Sequence, residues 1–247
     1  MLVLQSGEDE KISDDQMIET IKMIKKNVKV FIFLSVGERS LEFYKKAWKA
    51  GATGALIRFE TSNEKLYAKM RPGHQLKDRL SVISYLLSIG YYVASGSMVG
   101  LPGQTIGDIA DDILMVKKLG IPMLSSGPFI LASGTPLGGN IQQSKANVHS
   151  TYNNQMANNQ INGKWKMENG KSIELMLKFI AISRLIMPEI KIPVTTALET
   201  LDPENGRHRG LLAGANALMF NLTPEKYAGK YSIYDNKYRE REKVWYL

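Results

Sequence analysis

The sequence predicts an α/β fold: a TIM-type (β/α)8 barrel that is incomplete, with seven βα units and the first unit missing. Seven short runs of apolar or β-branched residues occur along the 247 residues. Most runs are continuous, as in strands buried on both faces of a parallel sheet. Amphipathic helical patterns alternate with them, which is typical of βαβ units. Polar residues and glycines follow the runs, where a parallel barrel carries its chemistry.

The chain opens directly on the first strand run. The predicted strands are Leu2–Gln5, Val30–Val36, Ala55–Phe59, Tyr91–Val99, Met123–Phe129, Ile192–Ala197 and Ala217–Leu222. Because a barrel of this type has eight units, we expect the chain to be truncated at the N-terminus and to lack one unit.

Capping residues and glycines mark the predicted helices. Ser13 is a candidate N-cap before an apolar stripe that begins at Met17. Gly51, Gly90 and Gly120 follow helical patterns, as C-terminal glycines do. The other predicted helices are Arg39–Ala50, Ser62–Met70, Leu76–Ile89, Thr105–Leu119, Ser172–Met187 and Asn205–Ala213.

Residues 1–247 are predicted to form a single domain. The segment 138–170 is rich in Asn, Gln, Gly and Ser and poor in aliphatic residues, so it predicts a loop or disordered insertion. The alternation of strands and helices resumes after it, which is why we do not place a domain boundary there.

Composition limits the function classes. The chain is 44% hydrophobic and 23% charged, as in globular proteins with one large core. No apolar run approaches the roughly 20 residues of a membrane span, and the N-terminus lacks the pattern of a signal peptide, so we expect a cytoplasmic protein without a membrane partner. The formal net charge is +8, but the lysines fall at helical spacing and predict solvated helix faces, not a nucleic-acid surface.

Cysteine is absent, which excludes disulfides, thiol nucleophiles and cysteine-ligated metals within these residues. The three histidines have no metal-ligand spacing. We therefore expect no metal ligand and no catalytic residue of the thiol type in this chain.

Charged residues follow the third strand run. Arg58 and Glu60 are two residues apart, so on one strand they would point to the same side, towards the barrel mouth. The alternative is a structural ion pair. Arg79 lies in the predicted helix Leu76–Ile89 and could face either the mouth or solvent.

Several of these stretches resemble the radical S-adenosylmethionine (SAM) superfamily, and most closely its HydE-type [FeFe]-hydrogenase maturases, in the group that includes biotin synthase and methylornithine synthase. The stretches that carry the resemblance are Leu4–Asp9, Leu34–Arg39, Arg58–Thr61, Lys69–Gly73, Gly96–Thr105, Gly134–Leu137, Ile192–Ala197 and Ala213–Asn216. The Gly96–Thr105 string is the most specific of them.

The resemblance implies a set of cofactor and substrate contacts. It implies that Ser6, Gly7 and Glu8 contact the amino group of SAM. Glu60 and Arg79 would hold its ribose and carboxylate. The adenine would be lined by Met98, Val99 and Leu101. For the substrate it implies Arg58, Thr195 and Thr196. Members of the family hold a [4Fe–4S] cluster by a CxxxCxxC loop that is absent here, so its ligands are expected in a missing N-terminal segment. No catalytic or metal residue is then assigned in this chain.

The function implied is that of a radical SAM enzyme, which generates a 5′-deoxyadenosyl radical and acts in maturation of the [FeFe]-hydrogenase active-site cofactor. It implies a small-molecule substrate and other hydrogenase maturation proteins as partners. This chain alone, a fragment, is expected to be inactive. The alternatives are a methylornithine synthase- or biotin synthase-like enzyme, a cluster-less SAM- or metabolite-binding barrel, and an ordinary barrel enzyme that uses Glu60 and Arg58 for acid–base chemistry.

Overall fold

The computed structural model of the protein describes residues 1–9, 11–132, 135, 169–228 and 237. The predicted 138–170 insertion lies outside the described residues, except for Asn169 and Gly170, which begin a helix. Within the described part of the chain, no helix is long and apolar enough to cross a membrane.

Parallel strands alternate with helices along the chain. The strands are β1 (Leu2–Gln5), β2 (Ile32–Ser35), β3 (Ala52–Leu56), β4 (Tyr92–Ser95), β5 (Met98–Val99), β6 (Met123–Leu124), β7 (Gly127–Pro128), β8 (Pro193–Val194) and β9 (Ala217–Leu218). The helices are α1 (Asp14–Asn27), α2 (Leu41–Ala50), α3 (Glu64–Met70), α4 (Leu76–Ser88), α5 (Ile106–Leu119), α6 (Asn169–Ile186), α7 (Thr196–Leu201), α8 (Gly206–Leu212) and α9 (Glu225–Ala228).

The chain divides into two compact units. Unit 1 comprises Met1–Ser97, Thr105–Ser126 and Met187–Lys191, and unit 2 comprises Met98–Gln104, Gly127–Ile186 and Ile192–Leu247. The single domain over 1–247 stays a prediction.

Unit 1 contains a five-stranded, all-parallel sheet in the order β1-β2-β3-β4-β6. Phe33, Ala94 and Met123 form a buried cluster, and Val3, Leu56 and Tyr92 pack against it. Since each strand of a parallel sheet is reached through a crossover helix, the carboxyl ends of these strands lie at one edge.

Unit 2 contains two short parallel pairs, β5–β7 and β8–β9. Helices α6, α7 and α8 pack on one another, and α6 also packs on β5 and β7. Ile173, Met176, Phe179 and Leu198 supply buried apolar side chains.

The predicted helix caps agree with the structure. Ser13 forms a capping box with Gln16 at the start of α1, and Thr105 forms one with Asp108 at the start of α5. Both satisfy backbone N–H groups that the first helical turn leaves without a partner. Gly51 and Gly120 end α2 and α5 in the left-handed conformation.

Two predicted strands are each divided into two. The run Tyr91–Val99 contains β4 and β5, and the run Met123–Phe129 contains β6 and β7. Between β4 and β5, the N–H of Ser97 donates to the hydroxyl of Ser126 at 3.0 Å. In a continuous strand, the N–H of Ser97 would donate to a backbone carbonyl of the neighbouring strand. The hydroxyl of Ser126 takes the place of that carbonyl, so the strand is interrupted here.

Two further strand limits also differ from the prediction. The third strand begins at Ala52, directly after the α2 cap Gly51, and ends at Leu56, before Arg58. The run Ile192–Ala197 includes the first residues of α7, because Thr195 occupies the N-cap position of that helix.

Candidate functional site

Four charged side chains meet beyond the carboxyl ends of β1 and β2. We call Glu8, Glu38, Arg71 and Arg79 the Arg79 cluster. Glu8 follows β1 and Glu38 follows β2, and the two strands end side by side, with Gln5 opposite Ser35. Arg71 caps the end of α3, and Arg79 lies in the first turn of α4. The strand edge thus brings two carboxylates to two guanidinium groups.

Arg79 is the centre of this cluster, and its side chain is only 3% exposed. Its Nη2 lies 3.3 Å from Oε1 of Glu8, and its Nε lies 2.5 Å from Oε1 of Glu38. The Nε contact is an ion pair without hydrogen-bond geometry. A buried guanidinium group needs such partners, because an unpaired buried charge is costly.

Arg71 binds both oxygens of the Glu8 carboxylate. Its Nη2 donates to Oε1 at 2.9 Å and to Oε2 at 2.7 Å. Partial burial alone would raise the pKa of Glu8, but the hydrogen bonds and charge of Arg71, together with Arg79, lower it below its ordinary value. Glu8 is therefore an anion at neutral pH.

The turn after β2 is shaped to accept Glu8. Gly37 has φ +74°, and a Cβ at this position would collide with Cγ of Glu8. The hydroxyl of Tyr44, a buried residue of α2, donates to the carbonyl of Gly37 at 2.7 Å. The turn is thus held from the helix side while Glu8 lies across it.

Arg58 and Glu60 form another charged contact within unit 1. Nε of Arg58 lies 3.3 Å from Oε2 of Glu60, which is buried. The two residues lie beyond the end of β3 and do not share a strand face, because Glu60 has φ 67°. The argument from strand alternation is therefore wrong, although the two side chains do meet.

Glu60 is held in an unusual backbone conformation. Among the described residues, Glu60 is the only non-glycine residue with a positive φ, of 67°. Its N–H donates to the carbonyl of Gly96 at 3.1 Å, and it forms an isolated parallel bridge with Ser97. Strain of this type is common at functional sites.

The predicted residues Ser6 and Gly7 lie in the turn between β1 and Glu8. The N–H of Ser6 donates to the carbonyl of Ser35 at 3.3 Å, which extends the β1–β2 ladder by one residue. Gly7 has φ +67°, and the chain turns here towards the Arg79 cluster.

In unit 2, the side chain of Gln104 organises the loop that contains Met98, Val99 and Leu101. Its Oε1 accepts from the N–H groups of Gly100 at 2.7 Å and Leu101 at 3.1 Å. Its Nε2 donates to the carbonyl of Met98 at 3.1 Å. Three bonds from one amide thus fix both ends of the loop.

Thr195 and Thr196 lie at the start of α7. Thr195 is the N-cap residue, but its side chain makes no capping bond, and its buried Oγ1 has no hydrogen-bond partner among the described residues. A Cβ at Gly127 would collide with this oxygen. The Thr195 hydroxyl is therefore a buried polar group at the start of α7.

Sequence reasoning assigned no role to Glu38, Arg71 and Gln104, and it did not single out Asp112, a buried aspartate of α5. Asp112 lies on the buried side of α5, among Ile109, Ile113 and Val116. A carboxylate on an apolar helical stripe was a visible signal, since charged residues are seldom buried without a partner.

The chain does not supply the ligands of an iron–sulfur cluster. It has no cysteine, and such clusters are held mainly by thiolates. In the described ranges, no group of three or more His, Asp or Glu residues could hold a metal ion.

Comparison with curated proteins finds long matches. The chain is 39% identical over 236 residues to the [FeFe] hydrogenase maturase subunit HydE of Thermotoga maritima, a match that covers 96% of this chain and 59% of the relative. It is 27% identical over 245 residues to 3-methylornithine synthase of Methanosarcina acetivorans. That match covers 98% of this chain and 61% of the relative. The chain thus spans about three fifths of the length of these relatives.

Solved structures show the same fold. A crystal structure of methylornithine synthase superposes with a TM-score of 0.70 at 24% identity, covering 87% of this chain and 55% of that one. A crystal structure of HydG, a maturase of the [FeFe]-hydrogenase, superposes with a TM-score of 0.61 at 15% identity. It covers 89% of this chain and 45% of the HydG chain. These likenesses and the parallel sheet confirm the predicted fold class, an incomplete α/β barrel.

A family model agrees with both comparisons. Residues 2–116 match the model described as the radical SAM superfamily, and this range includes the Arg79 cluster, Arg58 and Glu60. Together with the long matches to HydE and methylornithine synthase, this shows that the chain belongs to the radical SAM superfamily.

Proposed function

We propose that this chain is the SAM- and substrate-binding part of a HydE-type enzyme, which matures the active-site cofactor of [FeFe]-hydrogenase. The observation that carries the proposal is the 39% identity to HydE over 96% of the chain. The identity to methylornithine synthase over a similar length is 27%. Methylornithine synthase chemistry is therefore the second candidate.

The charges of the Arg79 cluster fit the amino-acid end of SAM. Glu8 offers a carboxylate to an ammonium group, and Arg79 offers a guanidinium group to a carboxylate. The lowered pKa of Glu8 keeps the required anion in place at neutral pH. A zwitterionic ligand would replace the 3.3 Å contact between these two residues with one contact to each.

The other proposed SAM contacts follow the resemblance. The Ser6–Gly7 turn would present backbone groups to the amino group, and the buried Oε2 of Glu60 is an acceptor suited to a ribose hydroxyl. Met98, Val99 and Leu101 would line the adenine, and the last two are buried apolar residues. When bound, SAM supplies the 5′-deoxyadenosyl group that this family uses as a radical.

Arg58, Thr195 and Thr196 are the proposed substrate contacts. Arg58 is one-third exposed and could receive an anionic group, and the Thr195 hydroxyl has no hydrogen-bond partner among the described residues. The substrate is proposed to be a small molecule, and the partners other hydrogenase maturation proteins. A cytoplasmic location stays a prediction.

The [4Fe–4S] cluster does not fit the residues of this chain. Without a cysteine, these residues offer no thiolate, so the cluster ligands of the whole enzyme would come from outside them. We therefore derive no reaction step through the cluster and propose that this chain alone does not carry out the reaction.

Titration calorimetry of SAM into the 247-residue chain tests the binding proposal. We expect saturable binding that weakens at least about tenfold in Arg79→Met, because a charge-assisted bond to the ligand carboxylate is lost. Lys77→Met removes an exposed cation from the same helix and is the matched control. Equal affinity of the Arg79→Met variant and the control would contradict the proposal.

Complementation separates the two enzyme classes. The complete gene in which this sequence occurs is introduced into a host that has [FeFe]-hydrogenase but lacks HydE, and in parallel into a host that lacks methylornithine synthase. Recovery of hydrogenase activity supports the HydE-type function. Recovery of methylornithine formation alone would replace it with the second candidate.

A further inference from the structure

We infer that Asp112 is a positioning residue for Glu60: from α5 it anchors the turn 60–63 and so sets the position of the Glu60 carboxylate. The inference rests on the proposed function, because it is as a SAM contact that Glu60 would matter. Asp112 itself contacts neither proposed ligand. It acts through the backbone of the turn.

The contacts of Asp112 converge on the residues after Glu60. Its Oδ1 accepts from the N–H of Ser62 at 2.6 Å, from the hydroxyl of Ser62 at 2.7 Å and from the hydroxyl of Thr61 at 3.5 Å. Asp112 and Thr61 are both fully buried. Burial of a carboxylate is costly, and the hydrogen bonds from the turn offset part of that cost.

A second aspartate on the same face of α5 extends the anchor. Asp108 lies one helical turn before Asp112, and its Oδ1 accepts from Nδ2 of Asn63 at 2.8 Å. Asn63 is the N-cap of α3 and accepts from the N–H of Leu66. Three successive residues, 61 to 63, are thus bonded to one face of α5.

The anchor explains how Glu60 keeps its left-handed conformation. For a residue with a Cβ, this conformation is unfavourable, and it persists where the surroundings fix it. On one side the N–H of Glu60 is bound to Gly96, and on the other Asp112 holds Thr61 and Ser62. With both neighbours fixed, Glu60 cannot relax to an extended backbone.

A double-mutant cycle separates positioning from general stabilisation. We measure SAM affinity of the 247-residue chain for wild type, Asp112→Leu, Glu60→Gln and the double variant. We expect Asp112→Leu alone to weaken binding about tenfold, because the N–H of Ser62 loses its acceptor. In the Glu60→Gln background, the same change is expected to cost less than about twofold.

Two variants serve as controls. Asp112→Asn keeps an oxygen acceptor at the same place and is expected to bind SAM within about threefold of wild type. Asp111→Leu makes the same change as Asp112→Leu at an exposed neighbour on α5 and is expected to have no effect. A tenfold loss from Asp112→Leu in both backgrounds, or from Asp111→Leu as well, would overturn the inference.

Hydrogen–deuterium exchange makes the inference testable without SAM. The amides of residues 58–64 are expected to exchange faster in Asp112→Leu than in wild type or Asp111→Leu. If wild type does not bind SAM, the proposed function fails, and the exchange result alone decides the inference. Should Asp112→Leu not fold, Ser62→Ala removes one donor from the same network. Unchanged exchange in Ser62→Ala would then overturn the inference.

Discussion

Gly37 shows how a single residue controls the position of a charged group. It combines φ +74° with a backbone that Glu8 crosses at close range. Gly73 has a similar φ of +84°, but a Cβ there would meet nothing within 4 Å. Substitution of the two glycines therefore distinguishes the cost of a left-handed backbone, which both share, from the cost of a collision with Glu8, which only Gly37 has.

We predict that Gly37→Ala destabilises the protein by at least about 1 kcal/mol more than Gly73→Ala does. Each substitution carries the cost of a left-handed alanine, about 1–2 kcal/mol, but only the first displaces Glu8. Urea unfolding of both variants measures the difference. Equal losses would mean that Glu8 moves aside freely and that the turn does not hold it.

The ionisation of Asp112 gives a prediction for pH. Burial raises its pKa from 3.8 to about 6, although the hydrogen bonds of Ser62 and Ser97 oppose the rise. Because the folded pKa is above the unfolded one, the contribution of this group to stability is full below about pH 4. It is lost as pH rises through about 6.

Asp112→Asn removes this titration. The free energy of unfolding of the variant, relative to wild type, is expected to rise by about 2 kcal/mol between pH 4 and pH 7. Urea unfolding at pH 4, 5, 6 and 7 measures it, and Asp111→Asn is the control for a change of net charge. A flat difference across these pH values would show that the carboxyl group titrates normally.

At the scale of residues, the sequence and the resemblance identified Glu8, Arg58, Glu60 and Arg79, which the structure joins in two contacts. The contact of Glu60 with Arg58 was expected for the wrong reason, since strand alternation ends at Leu56. Asp112 was missed because its partners lie about 50 residues away in sequence. No local pattern indicates which turn a buried helical carboxylate will meet.

The loop Met98–Gln104 is an element held by one side chain. We predict that Gln104→Leu loosens it, because the N–H groups of Gly100 and Leu101 lose their acceptor, at a cost of about 1–3 kcal/mol. Faster amide exchange of residues 98–104 measures the effect. Gln75→Leu, at an exposed glutamine whose side chain makes no capping bond, is the control.

Helices were easier to predict than strands, for a physical reason. Ser13, Thr105, Gly51 and Gly120 act within one turn of the helix they end, so sequence alone carries the signal. Strands depend on their neighbours. A continuous apolar run such as Tyr91–Val99 does not reveal that the hydroxyl of Ser126 will interrupt its ladder.

On the scale of the whole chain, the alternation of apolar runs and helices was enough to predict the parallel sheet. It could not predict that the described chain forms two compact units, since the dividing points Ser97 and Ser126 lie inside predicted strands. The family came from the resemblance at the strand ends, and the match over residues 2–116 confirms it.

For the whole chain we predict that anaerobic reconstitution with iron and sulfide loads no [4Fe–4S] cluster. Thiolates are the required ligands, and the 247 residues contain none. Iron and sulfide analysis, together with the visible absorbance of the sample, measures the outcome. Stoichiometric cluster binding would contradict the prediction that the ligands come from outside these residues.

The anchor of the Glu60 turn has a chemical asymmetry. All three donors from Thr61 and Ser62 use one oxygen of Asp112, Oδ1. Protonation of the other oxygen, Oδ2, would therefore leave the turn its acceptor in the acid form. Asparagine presents the same oxygen, so we expect natural relatives to interchange aspartate and asparagine at this position but to exclude leucine.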